Sequence, residues 1–131
     1  MGIVEFGNAA QKAYYLPKMA TGEYIGAFTL TEPSAGSNAA NLKTTAVRDG
    51  DSYVLNGAKH YITNALDAQV FTVMAVTDPS KGAKGITSFI VERGTPGLVL
   101  TLVPQRKSLG YVGLIQLSYF SITSVFQPKI V

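Results

Sequence analysis

From residue 24 to residue 103 the sequence alternates between short apolar runs and turn-forming residues, and this alternation constrains the fold more than any other feature. The runs are rich in β-branched and aromatic residues and are too short for most helices. Asp49-Gly50-Asp51 and Asn56-Gly57 are tight-turn signals between runs. Short strands at this spacing predict a mainly β fold, a small antiparallel β-barrel or sandwich. The predicted strands are residues 24–30, 42–48, 52–55, 60–63, 69–77, 86–92 and 98–103.

A short helical segment is predicted before the first strand. Asn8 can cap a helix whose third residue is Gln11, which is the spacing of a capping box. Apolar residues continue to Leu16, and Pro17 then interrupts the pattern. We therefore predict that residues 9–16 form the tail of a longer helix, followed by a short irregular piece at residues 18–21.

Composition excludes several classes of protein. A chain of 131 residues suffices for one domain, and its charged share of 15% is low for a free-standing domain, as expected where neighbours cover part of the surface. The net charge of +3 comes from scattered residues, without the basic run that marks a nucleic-acid patch. The absence of Cys excludes disulfides and thiolate ligands, and a single His gives no metal-ligand set. We expect no metal site.

The final part of the sequence raises the question of a membrane span. Residues 108–126 contain no charged residue, but Gln116, several Ser and Thr residues and two Gly residues favour two short strands over a transmembrane helix. The N-terminus has no basic segment followed by an apolar stretch, so no secretory signal is expected.

The stretch from Phe28 to Ser37 joins an apolar run to a polar bend. Pro33 fixes its own φ, and Gly36 permits a backbone geometry or a close approach that a side chain would block. Such a bend presents N–H groups and the hydroxyls of Thr31 and Ser37 in a small volume, which suits the polar edge of a flat cofactor or a phosphate. The alternative is an ordinary strand-to-turn junction, because Gly, Pro and Ser dominate turns.

Three ordered motifs resemble the acyl-CoA dehydrogenase family. The first, Thr29-Leu30-Thr31-Glu32-Pro33-Ser34-Ala35-Gly36-Ser37-Asn38, resembles the flavin-binding signature A-x-T-E-P-x-A-G-S-D. Its lead-in, residues 22–28, also matches. Asn56-Gly57-Ala58-Lys59-His60-Tyr61-Ile62-Thr63-Asn64 resembles the strand N-G-x-K-x-W/Y-I-T/S-N. The resemblance runs from about residue 6 to about residue 106.

The resemblance implies a domain organisation. Residues 1–22 would end an N-terminal helical domain, residues 23–107 would form the middle β-barrel domain, and residues 108–131 diverge from the family, which expects acidic residues there. A truncation or an altered reading frame near residue 107 would explain this divergence.

The resemblance also implies an activity. Family members are FAD-dependent oxidoreductases of fatty acid metabolism that remove hydrogen from the α,β bond of acyl-CoA thioesters, with hydride transfer to flavin N5. Implied partners are the acyl-CoA substrate, further copies in a dimer or tetramer, and an electron-transfer flavoprotein. The implied compartment is the bacterial cytoplasm or the mitochondrial matrix.

The site residues implied by the resemblance lie in the three motifs. Leu30 would act through its backbone, Thr31 through its backbone and hydroxyl, and Thr63 near flavin N5. Tyr61 would cover a ring face, and Ser37 would contact the FAD pyrophosphate or the CoA part of the substrate. The expected cofactor-binding set is Phe28, Leu30, Thr31, Gly36, Ser37, Tyr61 and Thr63.

No catalytic residue is expected within these residues. Glu32 would support the loop, because the family's base comes from a later helical domain, and the isolated chain should therefore be inactive. For His60, strand alternation predicts the face opposite to Tyr61 and a surface or packing role.

Several alternatives remain open from the sequence. Acyl-CoA oxidases and nitroalkane oxidases share the fold and are not separated by these motifs. A different class is a non-catalytic β-barrel module that binds single-stranded nucleic acid through Tyr and Phe, or that docks a protein partner. Acyl-chain length and branching are not specified by these residues.

Overall fold

The computed structural model describes residues 2–103, 112–122 and 125–126, with side chains over residues 2–101. Two short helices precede eight strands. The helices are α1 (Gly2–Phe6) and α2 (Ala9–Ala20). The strands are β1 (Gly26–Thr29), β2 (Thr45–Asp49), β3 (Ser52–Ile62), β4 (Val70–Val76), β5 (Ile86–Glu92), β6 (Leu98–Val103), β7 (Val112–Ile122) and β8 (Val125–Phe126), and 3-10 turns cover Ala39–Asn41 and Pro79–Gly85.

The strands form one sheet in the order β6-β7-β3-β2-β4-β5-β8, with β1 paired parallel to β4 beside this path. Most ladders are antiparallel, so the predicted mainly β fold with a short helical N-terminus is confirmed. Closure into a complete barrel is not seen among the described residues, because β6 and β8 at the two ends of the path share no ladder. Closure requires every edge to be paired, and the two residues of β8 pair only with β5.

The predicted helix is α2, which begins where predicted but ends later than predicted. The Gln11 N–H donates to the Asn8 side chain at 2.8 Å, and the Asn8 N–H donates to the Gln11 side chain at 2.9 Å, which is a complete capping box. The predicted end at residue 16 is wrong, because α2 continues through Pro17. Pro17 removes one N–H donor, but its carbonyl accepts from Thr21 at 3.1 Å and the following turn is kept.

The β2–β3 hairpin confirms one turn prediction and corrects another. Gly50 has φ +58 in the predicted turn between the two strands. Asn56-Gly57 is not a turn: β3 runs continuously through it, with a shift of register against β7 between Leu55 and Gly57. The shift places one extra residue on β7. Only glycine fits at position 57, because a Cβ there would lie 2.4 Å from the Thr44 hydroxyl oxygen.

Two apolar clusters pack on opposite faces of β4 and β5, as strand alternation requires. The larger cluster lies on the face of the sheet away from the helices and includes Phe71, Val73 and Phe89. The smaller lies between the sheet and the helices and contains Ile3, Tyr15, Val70 and Ile90. The helices are therefore docked on the outer face of the β1-β4-β5 region, beside the strand that leads into the polar bend.

Candidate functional site

The polar bend after β1 is a rigid turn. The Glu32 N–H donates to the Ala35 carbonyl at 3.0 Å, and the Ala35 N–H donates back to the Glu32 carbonyl at 3.1 Å. Ala35 is buried, whereas Ser34, Gly36 and Ser37 are exposed. The turn therefore presents its polar residues to solvent while its two ends are held together.

Glu32 anchors this turn from beneath. Its carboxylate accepts from the backbone N–H groups of Lys43 at 2.6 Å and Thr44 at 3.0 Å, and it forms a 2.8 Å ion pair with the Lys59 ammonium. The exposed fractions of the two side chains are 0% for Lys59 and 2% for Glu32. Glu32 supports the loop, as the family resemblance implied, and is too enclosed to act as a base.

The pKa values of this buried pair follow from desolvation and hydrogen bonding. Burial raises the pKa of Glu32, but hydrogen bonds from Lys59, Lys43 and Thr44 outweigh it and place the pKa below its ordinary value of 4.5. Burial lowers the pKa of Lys59 from 10.5, and the Glu32 carboxylate opposes that shift.

The end of β3 lies directly against the start of the bend. The His60 N–H donates to the Thr31 carbonyl at 2.8 Å, and the Lys59 ammonium donates to the Leu30 carbonyl at 3.1 Å. These contacts bring together the motifs at residues 29–38 and 56–64, and the Lys59–Leu30 bond joins residues that are 29 positions apart. Lys59 was missed by sequence reasoning, although it lies two positions from Gly57 and four from buried Leu55 in β3.

The prediction that His60 and Tyr61 lie on opposite faces is wrong. Their ring centroids are 3.9 Å apart with an interplanar angle of 35°. Tyr61 has φ +57, a left-handed conformation that breaks strand alternation, and the β3–β7 register shifts between Lys59 and Ile62. His60 therefore stacks beside Tyr61.

The two aromatic candidates are not core residues. The exposed fraction is 57% for Phe28 and 52% for Tyr61, which is high for large rings. Phe28 also borders an apolar cavity of about 440 Å³ between α1, α2 and the sheet, lined further by Val4, Leu16, Met19 and Met74. Neither ring is therefore an ordinary core residue.

The side-chain hydroxyls predicted to bind a ligand are not used in hydrogen bonds among the described residues. Among the described residues, the hydroxyls of Thr31, Ser37 and Thr63 make no hydrogen bond within the chain. Thr63 and Ser37 are exposed and Thr31 is half-buried. Gly36 does not have positive φ, and a Cβ there would meet nothing within 4 Å, so the turn geometry itself does not require glycine. A close approach by a ligand at Gly36 stays a prediction.

Arg93 holds the loop that follows Thr63, and no pattern in the sequence indicates this role. Its Nε donates to the Ala68 carbonyl at 2.8 Å, and its Nη2 donates to the Leu66 carbonyl. Asn64, the first residue of this loop after Thr63, has φ +61. The loop is therefore fixed to the end of β5 by a side chain more than twenty positions away.

Other kinds of site find no support in the described residues. No group of three or more His, Cys, Asp or Glu side chains there could hold a metal ion. Over the same part of the chain, no helix is long and apolar enough to cross a bilayer.

Together, the hydrogen-bonded polar turn, the two exposed rings and the unpaired hydroxyls form a surface of the kind that suits a flat, partly polar ligand. The family model described as acyl-CoA dehydrogenase, middle domain, matches residues 27–125. The chain therefore belongs to the acyl-CoA dehydrogenase family and carries its middle domain, which confirms the resemblance seen in the motifs.

Similar proteins include enzymes with several acyl-CoA substrates in their names. An acyl-CoA dehydrogenase of Bacillus subtilis is 45% identical over 111 residues, covering 85% of this chain and 29% of that protein. The human mitochondrial very long-chain specific acyl-CoA dehydrogenase is 51% identical over 116 residues, covering 83% of this chain and 17% of that protein. The chain thus spans less than a third of these relatives.

Solved structures show the same fold. A glutaryl-CoA dehydrogenase from Mycobacterium smegmatis in complex with FADH2 matches with a TM-score of 0.85 at 38% identity, covering 94% of this chain and 32% of that one. A prolyl acyl carrier protein oxidase matches with a TM-score of 0.88 at 38% identity, covering 96% and 34%. The predicted fold class is therefore confirmed at the level of this middle domain.

Proposed function

We propose that this chain is the flavin- and acyl-CoA-binding middle domain of an acyl-CoA dehydrogenase-like oxidoreductase. The observation that carries the proposal is the junction of the two motifs, where the His60 N–H to Thr31 carbonyl contact of 2.8 Å leaves exposed rings and free hydroxyls beside a rigid turn. The relatives named for acyl-CoA dehydrogenation, and the related structure in complex with FADH2, support it.

FAD is the proposed cofactor, and the residues present fit it. When bound, FAD supplies the redox chemistry by accepting at N5 the hydride that leaves the β-carbon of the acyl-CoA. The free hydroxyls of Thr31 and Thr63 would donate to its polar edge, the Leu30 backbone would line it, and Phe28 and Tyr61 would pack against its apolar surface. Each hydrogen bond would contribute about 1 kcal/mol net, so several are needed.

The exposed side of the turn is the proposed place for phosphate groups. Ser37 would hold the FAD pyrophosphate or the CoA part of the substrate, and Gly36 offers an open backbone for close approach. The proposed division into residues 1–22, 23–107 and 108–131 places both motifs in the middle domain.

The wider setting is proposed from the family. The partners are the acyl-CoA substrate, further copies in a dimer or tetramer, and an electron-transfer flavoprotein; the compartment is the bacterial cytoplasm or the mitochondrial matrix. The catalytic base is expected from a helical domain of the family, because the Glu32 carboxylate is enclosed by Lys59 and two backbone N–H groups. These 131 residues by themselves should show no turnover with acyl-CoA thioesters and an artificial electron acceptor.

Titration with FAD tests the proposal directly. The chain is expected to quench FAD fluorescence saturably, with low affinity. Thr31→Ala and Tyr61→Ala should each weaken binding by about tenfold, the loss expected for one contact. Val47→Ala is the matched control, because Val47 is a 64% exposed apolar side chain on β2 outside the motifs and should leave binding unchanged.

Two results would contradict the flavin proposal. One is the absence of FAD quenching at concentrations at which the chain remains folded. The other is salt-dependent binding of a single-stranded oligonucleotide that Tyr61→Ala abolishes, which would favour the nucleic-acid module instead.

A further inference from the structure

We propose that Lys59 is a positioning residue. Its buried ammonium holds the two parts of the proposed flavin site, residues 28–37 and residues 61–63, in fixed positions relative to each other. The link of Lys59 to flavin binding rests on the proposed function. The link of Lys59 to the backbone geometry of the bend does not depend on that function. Lys59 is fully buried, and its Nζ donates to the Leu30 carbonyl at 3.1 Å and to the Glu32 carboxylate at 2.8 Å.

The position of Lys59 is itself fixed by the sheet. Its backbone lies in the β3–β7 ladder opposite Ile115, so the side chain reaches the bend from a rigid strand. A lysine can span such a gap because four methylene groups separate its ammonium from its backbone. The Leu30 carbonyl, next to the peptide N–H of Thr31, is thereby oriented by a strand distant in sequence.

Three chain segments converge on this ion pair. The Glu32 carboxylate also accepts the N–H groups of Lys43 and Thr44, and the His60 N–H donates to the Thr31 carbonyl. Residues 30–32, 43–44 and 59–60 are therefore linked through one buried cluster. Removal of the ammonium would release a carbonyl and a carboxylate at once.

The strained backbone at Tyr61 points to the same role. A bulky side chain at φ +57 is an outlier that persists only where its neighbours determine it. On one side His60 is bonded to Thr31, and on the other Ile62 is buried with an exposed fraction of 4%. The cluster around Lys59 thus holds Tyr61 in the conformation that exposes its ring.

Stability alone does not account for a buried ion pair here. Well-packed apolar side chains of similar volume are often as stabilising as a buried pair, because desolvation offsets the Coulomb attraction. Positional specificity is a separate role that a buried pair can have, and it makes a distinct experimental prediction.

The test uses the double variant Glu32→Gln/Lys59→Met, which removes both charges and leaves no uncompensated charge behind. The control is Lys81→Met, because Lys81 forms a 2.9 Å pair with Asp78 on the surface, with 66% of the lysine side chain exposed. Both proteins are compared with wild type by amide hydrogen exchange and by FAD titration.

The double variant should lose protection locally. The Lys43 and Thr44 amides bond Glu32 directly, so the His60 amide is the reporter, because its bond to the Thr31 carbonyl involves neither substituted side chain. Exchange at His60 should accelerate by about tenfold or more once Lys59 no longer holds the neighbouring Leu30 carbonyl, while the β4–β5 ladder keeps its protection. FAD affinity should fall by a similar factor, and Lys81→Met should change neither. Unchanged exchange at His60, or a uniform loss across both regions, overturns the proposal.

The outcomes separate this inference from the proposed function. If wild type does not bind FAD, the flavin proposal fails, while the exchange result still decides whether Lys59 positions the backbone. If the double variant does not fold, native-state exchange of wild type in low denaturant decides. The His60, Lys43 and Thr44 amides must then open in one common step, and independent opening would refute the role of Lys59.

Discussion

The Tyr15 hydroxyl on α2 donates to a carboxylate oxygen of Glu92 at the end of β5 at 2.8 Å, although 77 positions separate the two residues. Tyr15 is buried with an exposed fraction of 6%, within the cluster that joins the helices to the sheet. Burial and the Glu92 carboxylate both raise the pKa of Tyr15 above its ordinary value of 10.0. This bond joins α2 to the sheet.

Tyr15→Phe should therefore weaken the docking of α2. The ring is kept and one hydrogen bond to a charged group is lost, so the free energy of unfolding should fall by about 1.5–3 kcal/mol in urea titrations. Tyr14→Phe, on a neighbouring ring that is 47% exposed, is the control and should have a much smaller effect. Equal effects of the two substitutions would show that the bond to Glu92 contributes nothing specific.

The close approach of Gly57 in β3 to Thr44 should not tolerate a side chain. In Gly57→Ala the new Cβ would lie 2.4 Å from the Thr44 hydroxyl oxygen and 2.7 Å from the Thr44 Cα, so the strands must separate. We expect a loss of about 3 kcal/mol, measured by chemical denaturation. Gly50→Ala separates the steric clash from the cost of a positive φ, because Gly50 has φ +58 but lies in open space. This substitution should cost about 1 kcal/mol.

Acid should destabilise the cluster at Glu32 in a predictable direction. The pKa of Glu32 is lower in the folded chain than its ordinary value of 4.5, so the unfolded chain binds the proton more readily. The stabilisation is therefore complete above about pH 4.5 and is lost as the pH falls through the folded pKa. Urea unfolding across this range should show a steeper loss for wild type than for Glu32→Gln/Lys59→Met, and parallel curves would contradict the assignment.

Arg93→Met should loosen the loop after Thr63 without unfolding the sheet. The substitution removes the donors to the Ala68 and Leu66 carbonyls while keeping an apolar stem. The Ala68 N–H, which donates to the Asn64 carbonyl at 2.8 Å, should exchange faster by about tenfold, the equivalent of one hydrogen bond. Arg48→Met is the comparison, because the bond that Arg48 makes within the described part of the chain is to Gly50 in its own hairpin, and it should leave Ala68 unchanged.

Local signals in the sequence were reliable where one short segment determines its own geometry. The capping box at Asn8 and the hairpin turn at Gly50 formed as predicted, because their hydrogen bonds and backbone angles depend on adjacent residues. The motif from Thr29 to Asn38 identified the polar turn for the same reason. The family could be predicted because the residue pattern of this motif is specific to it.

Features that depend on distant strands were not accessible from the sequence. Asn56-Gly57 has the chemistry of a tight turn, but β7 pairs with both sides of it and keeps β3 continuous. Alternation placed His60 and Tyr61 on opposite faces, and the positive φ of Tyr61 cancels that rule. The burial of Lys59 depends on Glu32, which approaches only in the folded chain. Alternation with Leu55 is the one signal that could have suggested it.

The parallel pairing of β1 with β4 has a consequence for the order of folding. The Thr29 hydroxyl bonds the Thr72 carbonyl across 43 positions, whereas β4 and β5 are neighbours along the chain and pair antiparallel. Closing the longer loop costs more entropy, so β1 should dock late, against a sheet edge that already exists. In pulse-labelled refolding we expect β4 and β5 amides to become protected before those of β1; simultaneous protection would argue against this order. Phe28 and the polar turn would then be among the last parts of the domain to assemble.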